Sequence, residues 1–383
     1  MTDLAVIGLG GIGSGVAYWA AKRGASVRGF EQFSFGHDRG ASHDHSRIIR
    51  YSYHTPYYVE LSKLAYSAWA VVEAESGEEL VVRCGGLDLF PGNCAIPSVD
   101  YRASLDACGI EYEWLSAQEI RGRWPQFNIA DNVSGLFQAD GGLVAAARSV
   151  AAHQRLAKQH GAQLSDNARV KSVQEVVGGV EIVVGDGTIH ADAVVISADA
   201  WTNTLLAQPL PLTVMREQVT YFDSATPEVF SRDSFPVWIW MDEPSFYGFP
   251  SYGEAATKVA QDCGGHVTTA DDRTFDTDPG ELQRVTDFTQ NLFGNAVGEV
   301  TTTKTCLYTL TPDREFIVDR APGTDNIWVV QGAAHAYKYA SALGALLTEC
   351  ALDGDCTSTF DRSPFRIDRP AITNPPLTPS WMV

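Results

Sequence analysis

The stretch Leu4–Gly24, LAVIGLGGIGSGVAYWAAKRG, decides the fold. Leu4 to Ile7 is a short apolar run of buried-strand type. Gly8, Gly10 and Gly13 then spell G-x-G-x-x-G, and Ala17, Ala20 and Ala21 continue with helical spacing toward Gly24. A second strand, Ser26 to Phe30, ends in Glu31, 23 residues after Gly8. Each part has a physical reason. Gly8 permits a tight turn, Gly10 lets the backbone approach a pyrophosphate, and Gly13 lets helix and strand pack closely, with the helix N-terminus facing the phosphates. An acid at Glu31 accepts hydrogen bonds from ribose hydroxyls. A lone glycine motif is weak evidence. Strand, glycines, helix, strand and acid in this order predict a dinucleotide-binding unit, without distinguishing NAD from FAD.

The bulk numbers narrow the class. At 383 residues, 45 % apolar and 20 % charged, the chain is long enough for two domains or one large composite domain. A net charge of −19 argues against nucleic acid and anionic membranes as partners. No run approaches the length of a membrane span, and the N-terminus lacks the basic region of a signal peptide, so the expected compartment is the cytoplasm. The seven cysteines are scattered and form no C-x-x-C pair, which suggests neither a disulfide framework nor a zinc site. His43 and His45 lie in a Gly/Ser loop without a matching ligand cluster, so no metal site is expected.

Beyond Tyr58 the pattern is helical through Leu61, Leu64, Ala65 and Ala68. CGGLDLFPG reads as strand and turn, a helix is expected at Ser116 to Trp124, and Asp186-Gly187 sits at a hairpin turn. Ala193 to Ser197 has the continuous apolar character of a central parallel strand. Segments such as REQVTYFDS and FYGFPSYG have the β-branched and aromatic content of antiparallel strands.

Four separated motifs carry a family resemblance. They are Gly8 to Gly13, the loop Ala41-Ser42-His43-Asp44-His45-Ser46-Arg47-Ile48-Ile49-Arg50, the stretch Cys306-Leu307-Tyr308 with Phe316-Ile317-Val318-Asp319, and Ala334-His335-Ala336-Tyr337-Lys338-Tyr339. Together they resemble the monomeric sarcosine oxidase and N-methyltryptophan oxidase family. Its loop reads Ser-His-His-Gly-Asp-Thr-Arg-Ile/Leu-Ile-Arg, and its later anchor is Gly-His-Gly-Phe-Lys-Phe. The resemblance covers essentially the whole chain. It implies a mixed α/β fold (α+β in part), with a Rossmann-type FAD-binding domain built from residues 1–85, 150–213 and 315–383. Residues 86–149 and 214–314 would form a mostly antiparallel substrate domain.

The resemblance also implies roles. Cys306 would carry FAD covalently through a thioether to the flavin 8α-methyl carbon, its thiol activated by nearby positive charge or hydrogen bonding. Gly8, Gly10, Gly13, Glu31, Ser42, Val170, His335, Tyr337 and Lys338 would bind the cofactor. A helix beginning near His335 would stabilise negative charge on the reduced flavin. Arg50 and Lys338 would hold a substrate carboxylate, for which an Arg fork and an ammonium are well suited. Lys258 would promote reaction with oxygen, although a strand lysine facing solvent has the same sequence signature. Arg47 and His43 would lie by the flavin, and Tyr247 and Tyr308 would line the substrate cavity.

Five positions depart from the family pattern. Thr55 replaces a glutamate, Asp262 a histidine four residues after Lys258, and Asp199, Ala334 and Ala336 replace glycines. The changes at Thr55 and Asp262 fall on the substrate side, where Asp262 would accept an ammonium or an extra donor. The expected activity is an FAD-dependent oxidase of a secondary, N-methylated amino acid. Oxygen is the acceptor and hydrogen peroxide a product, and the protein is a monomer or small homo-oligomer. The alternatives are an oxidase of a cyclic imino acid or primary amine, and an NAD-dependent dehydrogenase or non-catalytic dinucleotide-binding protein.

Overall fold

A computed structural model describes residues 2–356 and 359–376. The last residues of the expected C-terminal segment, 377–383, lie outside the described residues.

The opening motif folds as its pattern requires. Strand Thr2–Ile7 runs into helix Gly11–Lys22, and strand Val27–Phe30 returns parallel to the first, Leu4 beside Val27 and Ile7 beside Phe30. On its other side Thr2–Ile7 pairs in parallel with Gly187–Ile196, whose C-terminal half is the predicted apolar central strand. Ile327–Gln331 and Ile317–Arg320 continue that edge, and Val170–Val176 with Gly179–Val184 form the antiparallel flap beside it. With Gln163–Ser165 beside Val27–Phe30, the sheet has eight strands.

Four helices share one core on this sheet. Gly11–Lys22 packs against Ala340–Asp353 and Ala146–Gln159, and Pro56–Ser76 packs against the same two. Pro56 opens its helix at a position where the missing N–H costs nothing. Trp69 and Tyr339 are completely buried between these helices, and the Trp69 indole N–H donates to the Lys338 carbonyl at 2.8 Å. That bond fixes the turn carrying Lys338 to the helix layer.

The second sheet has nine strands and is antiparallel except where Val237–Trp240 meets Gly86–Phe90. Its long central pair joins Thr213–Phe222 to Val300–Leu310, with Met215 opposite Tyr308 and Glu217 opposite Cys306. Alternation along Val300–Leu310 puts Lys304, Cys306 and Tyr308 on one face. Between the two sheets a three-stranded unit, Ser46–Ile49, Val81–Arg83 and Gly142–Ala145, carries the Arg47–Arg50 motif. The expected helix at Ser116 is present as Ala117–Arg123, capped by a reciprocal Ser116–Glu119 box. No helix among the described residues is long and apolar enough to cross a membrane.

Candidate active site between the two sheets

One cavity of about 560 Å³ runs from Gly8 and Glu31 to Arg50 and Lys338. Of the residues singled out from sequence, Gly8, Gly10, Glu31, Ser42, His43, Arg47, Arg50, Val170, Tyr247, Lys258, Asp262, Cys306, Tyr308, His335, Tyr337 and Lys338 all line it. Gly13 lies beneath. A Cβ on Gly13 would meet the Gly8 carbonyl oxygen at 1.9 Å, and one on Gly8, which has φ +86, would meet Ser197 O at 2.3 Å. The motif glycines therefore allow the strand–turn–helix crossing that the sequence requires.

At the first end the Glu31 carboxylate accepts from Leu9 N–H at 3.0 Å and Phe33 N–H at 3.2 Å. Burial would raise this carboxyl, but the His37 ring and these amides hold it below its ordinary value. The Gly11 amide, at the helix start, donates to Ser42 Oγ at 2.9 Å, and the Tyr337 hydroxyl donates to Ala146 O at 2.6 Å.

In the middle, Arg47 donates to the carbonyls of Ser46 and Ala41, each at 2.8 Å, and lies over the Tyr337 ring. Burial, Arg47 and Arg273 push His43 down to about 4, so its ring is neutral near pH 7. Burial pushes the Cys306 thiol up to about 11, against the opposing influence of Arg47 and Arg273. The expected thiol activation is thus outweighed by desolvation in this state. Arg273 was missed from sequence. It reaches Thr305 Oγ1 at 2.9 Å, beside Cys306, from a segment with no motif around it.

Lys258 is 3 % exposed, which rules out the solvent-facing arrangement. Its ammonium donates to Asp44 Oδ2 and Ser46 O, both at 3.0 Å. Asp44 stands where the related loop has glycine, and its φ of +74 is the left-handed geometry a glycine supplies. Asp199 and Ala334 show the same substitution at φ +46 and +68. Aspartate tolerates this region better than most residues; alanine pays about 1–2 kcal/mol. Ala336 keeps ordinary geometry.

The substrate-side groups are more heavily paired than the sequence suggested. Arg50 donates to Asp88, and the Lys338 ammonium donates to Tyr53 Oη at 2.7 Å and His335 O at 2.8 Å. Asp262 is held bidentately by Arg314, at 2.7 and 2.9 Å. Its charge is already matched, which corrects the expectation of a carboxylate available to an ammonium. Thr55 precedes helix Pro56–Ser76 and does not line the cavity. The hydroxyls of Tyr247 and Tyr308 lie 3.3 Å apart. The anticipated helix start also shifts. His335 precedes a 3-10 turn, Ala336–Tyr339, and the α-helix begins at Ala340, because left-handed Ala333 and Ala334 force a tight entry. The His335 Nε2–H donates to Arg314 O at 2.9 Å, and burial with Lys338 and Arg314 nearby keeps the ring neutral.

Four polar atoms of cavity-lining residues, His43 Nε2, His335 Nδ1, Asp199 Oδ2 and Gln331 Oε1, have no hydrogen-bond partner among the described residues. Buried polar atoms are normally satisfied, so orphans along a cavity that begins at a dinucleotide turn fit a bound polar group. The His45 Nε2 lies 3.1 Å from Glu254 Oε1.

The chain has known relatives over nearly its whole length. Residues 3–350 match the model of the FAD dependent oxidoreductase family (DAO). The chain is 32 % identical over 380 residues to the human peroxisomal sarcosine oxidase, covering 96 % of each chain. It is 29 % identical over 373 residues to the N-methyl-L-tryptophan oxidase of Salmonella dublin, covering 96 % of this chain and 98 % of that one. Among solved structures, the open form of NikD, an unusual amino acid oxidase essential for nikkomycin biosynthesis, superposes with a TM-score of 0.84. It covers 95 % of this chain and 96 % of its own at 23 % identity, a likeness of fold. The dinucleotide turn, the two-sheet cavity and these relatives make the chain a member of the FAD dependent oxidoreductase family, an FAD-dependent amine or amino-acid oxidase.

Proposed function

We propose that the protein oxidises a secondary, N-methylated amino acid, with hydrogen peroxide and a hydrolysable imine as products. The observation that carries this reading is the gathering of Arg50 and Lys338 around Tyr53 at the cavity end. The Arg50 guanidinium lies 5.0 Å from the Tyr53 ring centre, and the Lys338 ammonium bonds its hydroxyl. Asp88 answers one of these two buried cations, and a substrate carboxylate would answer the other.

Gly8, Gly10, Glu31, Ser42, Val170, His335 and Tyr337 would hold FAD, and Cys306 would tether it. Bound there, FAD supplies the acceptor for a hydride equivalent from the carbon beside the substrate nitrogen and the route for its electrons to oxygen. Arg50 and Lys338 then orient the acid. Arg47 and Lys258 supply positive charge in a dry site, where it counts for more than in water. Tyr247 and Tyr308 shape the wall, and Asp262 acts through Arg314. The domain division proposed here follows the two large sheets. The seven cysteines, all free, support a reducing compartment such as the cytoplasm, with the enzyme working as a monomer or small homo-oligomer.

A panel of N-methyl, cyclic and primary amino acids, with their decarboxylated amines, tests the reading by peroxide release. Turnover of N-methyl acids above all others is expected. Amines turning over as well as the matching acids would overturn it.

A further inference from the structure

Protons must enter and leave this buried site. A secondary amine in water carries an extra proton that has to depart before hydride can, and reduction of oxygen to hydrogen peroxide takes up protons. Lys258 and Asp44 side chains are each 3 % exposed, so neither exchanges directly with water.

A continuous series of titratable groups leads away from them. Lys258 Nζ lies 3.0 Å from Asp44 Oδ2; Asp44 Oδ1 lies 3.0 Å from Lys304 Nζ; Lys304 Nζ lies 3.0 Å from Glu254 Oε1; and Glu254 Oε1 lies 3.1 Å from His45 Nε2. Every step is within hydrogen-bond range. Side-chain exposure rises along the path from 3 % at Asp44 to 29 % at Lys304 and 40 % at Glu254.

We propose that Asp44, Lys304 and Glu254, with His45 beside Glu254, form a proton-transfer chain joining Lys258 to solvent. The proposal rests on the reading of Lys258 as the group that serves oxygen. When Lys258 hands a proton to the cavity, the Lys304 ammonium returns one through the Asp44 carboxyl. Glu254 or His45 then restores Lys304 from water. Charges end where they began, and one solvent proton has been delivered; run backward, the series removes one.

The surroundings bound this role: against burial, Lys258 and Arg47 hold the Asp44 carboxyl far below its ordinary value, and, again against burial, Glu254 and Asp44 raise Lys304, so Asp44 carries the proton only in transit. Asp44 faces Lys258, Lys304, Tyr221 and Arg47, and Lys258 faces Asp44, Arg47 and Cys306. Burial pushes Lys258 down to about 8, with Asp44 raising and Arg47 lowering it, so it can release a proton near neutrality. A purely structural ion pair would need Asp44 and Lys258 alone. Two further ionisable groups leading outward add little to that neutralisation but complete a route.

The test uses the holoprotein labelled with ¹⁵N at lysine side chains, and reads solvent exchange of the Lys258 ammonium protons by NMR. Lys304→Met should slow that exchange by roughly tenfold or more, a barrier increase of at least about 1.4 kcal/mol. Lys304→Arg keeps the charge and the hydrogen bonds but cannot give up a proton. It should therefore retain the parental melting temperature and still show slow exchange. Reoxidation of the reduced Lys304→Met holoenzyme should recover in proportion to added imidazole. Parental exchange in Lys304→Arg, or no rescue by imidazole, would overturn the chain. Lys258→Met separates the two readings. If it reoxidises at the parental rate, the reading of Lys258 itself fails. If it is slow while Lys304→Arg behaves as the parent, only the chain fails.

Discussion

The guanidinium of Arg50 donates to the carboxylate of Asp88 at 2.8 Å, and the two side chains are only 9 % and 4 % exposed. Ser52 donates its hydroxyl to the other oxygen of Asp88. Burial pushes the Asp88 carboxyl above its ordinary value, against the pull of Arg50 and Ser52. A substrate carboxylate bound as proposed would therefore share Arg50 with a resident anion. The fork has five N–H donors, so one edge serves Asp88 and others remain for the cavity.

This pairing changes what mutation of Arg50 reports. Arg50→Ala removes the proposed partner of the substrate carboxylate and also leaves Asp88 buried and uncompensated, a loss of about 3–5 kcal/mol of stability. Adding Asp88→Asn should restore the melting temperature without restoring KM. Arg50→Lys keeps a cation beside Asp88 but loses the fork, so KM for the acid substrate should rise about tenfold or more. KM for the decarboxylated amine should hardly move. Steady-state kinetics on the acid–amine pair, with thermal melts, decides; unchanged KM for the acid in both the Lys variant and the double variant would remove Arg50 from substrate binding.

Covalent attachment at Cys306 should depend on pH. The thiolate is the nucleophile, and burial places the thiol at about 11. Below that value the thiolate fraction grows about tenfold per pH unit, so tethering of added FAD to flavin-free protein should accelerate steeply from about pH 7 to about pH 9. Flavin fluorescence of the denatured chain on a gel follows the reaction. Cys306→Ala should give none, and Cys350→Ala should match the parent. A rate indifferent to pH would mean that the thiol is activated in a way burial does not predict.

The N-terminal half of the site was legible because its physics is local. Gly8, Gly10, Gly13 and Glu31 sit at spacings set by one strand–helix–strand unit. Lys304 was legible in principle: it lies two residues before Cys306 on the same strand, and period-two alternation puts both on the cavity face. Asp44 carried one signal, its place in a loop where the related motif has glycine. Nothing local pointed to Asp88 or Arg314. Asp88 is 38 residues from Arg50, and Arg314 is 52 from Asp262, so those pairs exist only once both sheets have formed. The helix expected to begin near His335 enters through a 3-10 turn and becomes α-helical at Ala340, and the left-handed pair Ala333–Ala334 just before it is invisible in propensity.

Glu217 provides a test of the sheet beneath the site. It stands opposite Cys306 in the strand pairing and is 3 % exposed. Its Oε2 accepts from the amides of Gly264 and Gly265, both at 3.1 Å, while Oε1 has no partner among the described residues. Burial, reinforced by Asp262 and Glu281, holds this carboxyl well above its ordinary range, so it is neutral in the folded protein under conditions where the unfolded chain ionises it. Its contribution is fully present below the unfolded value and is lost as pH rises toward the folded one. Each pH unit in that window removes about 1.4 kcal/mol. Glu217→Gln keeps a carbonyl for the two glycine amides and never ionises. Its melting temperature should lie close to the parent's near pH 5, and the gap should widen in the variant's favour toward pH 8. At about 2 cal/mol/K of unfolding entropy per residue, the widening is roughly 1–2 °C per pH unit. Calorimetry of both proteins across this range measures it. A gap that stays constant with pH would mean that Glu217 is ionised in the fold and carries a counter-charge instead.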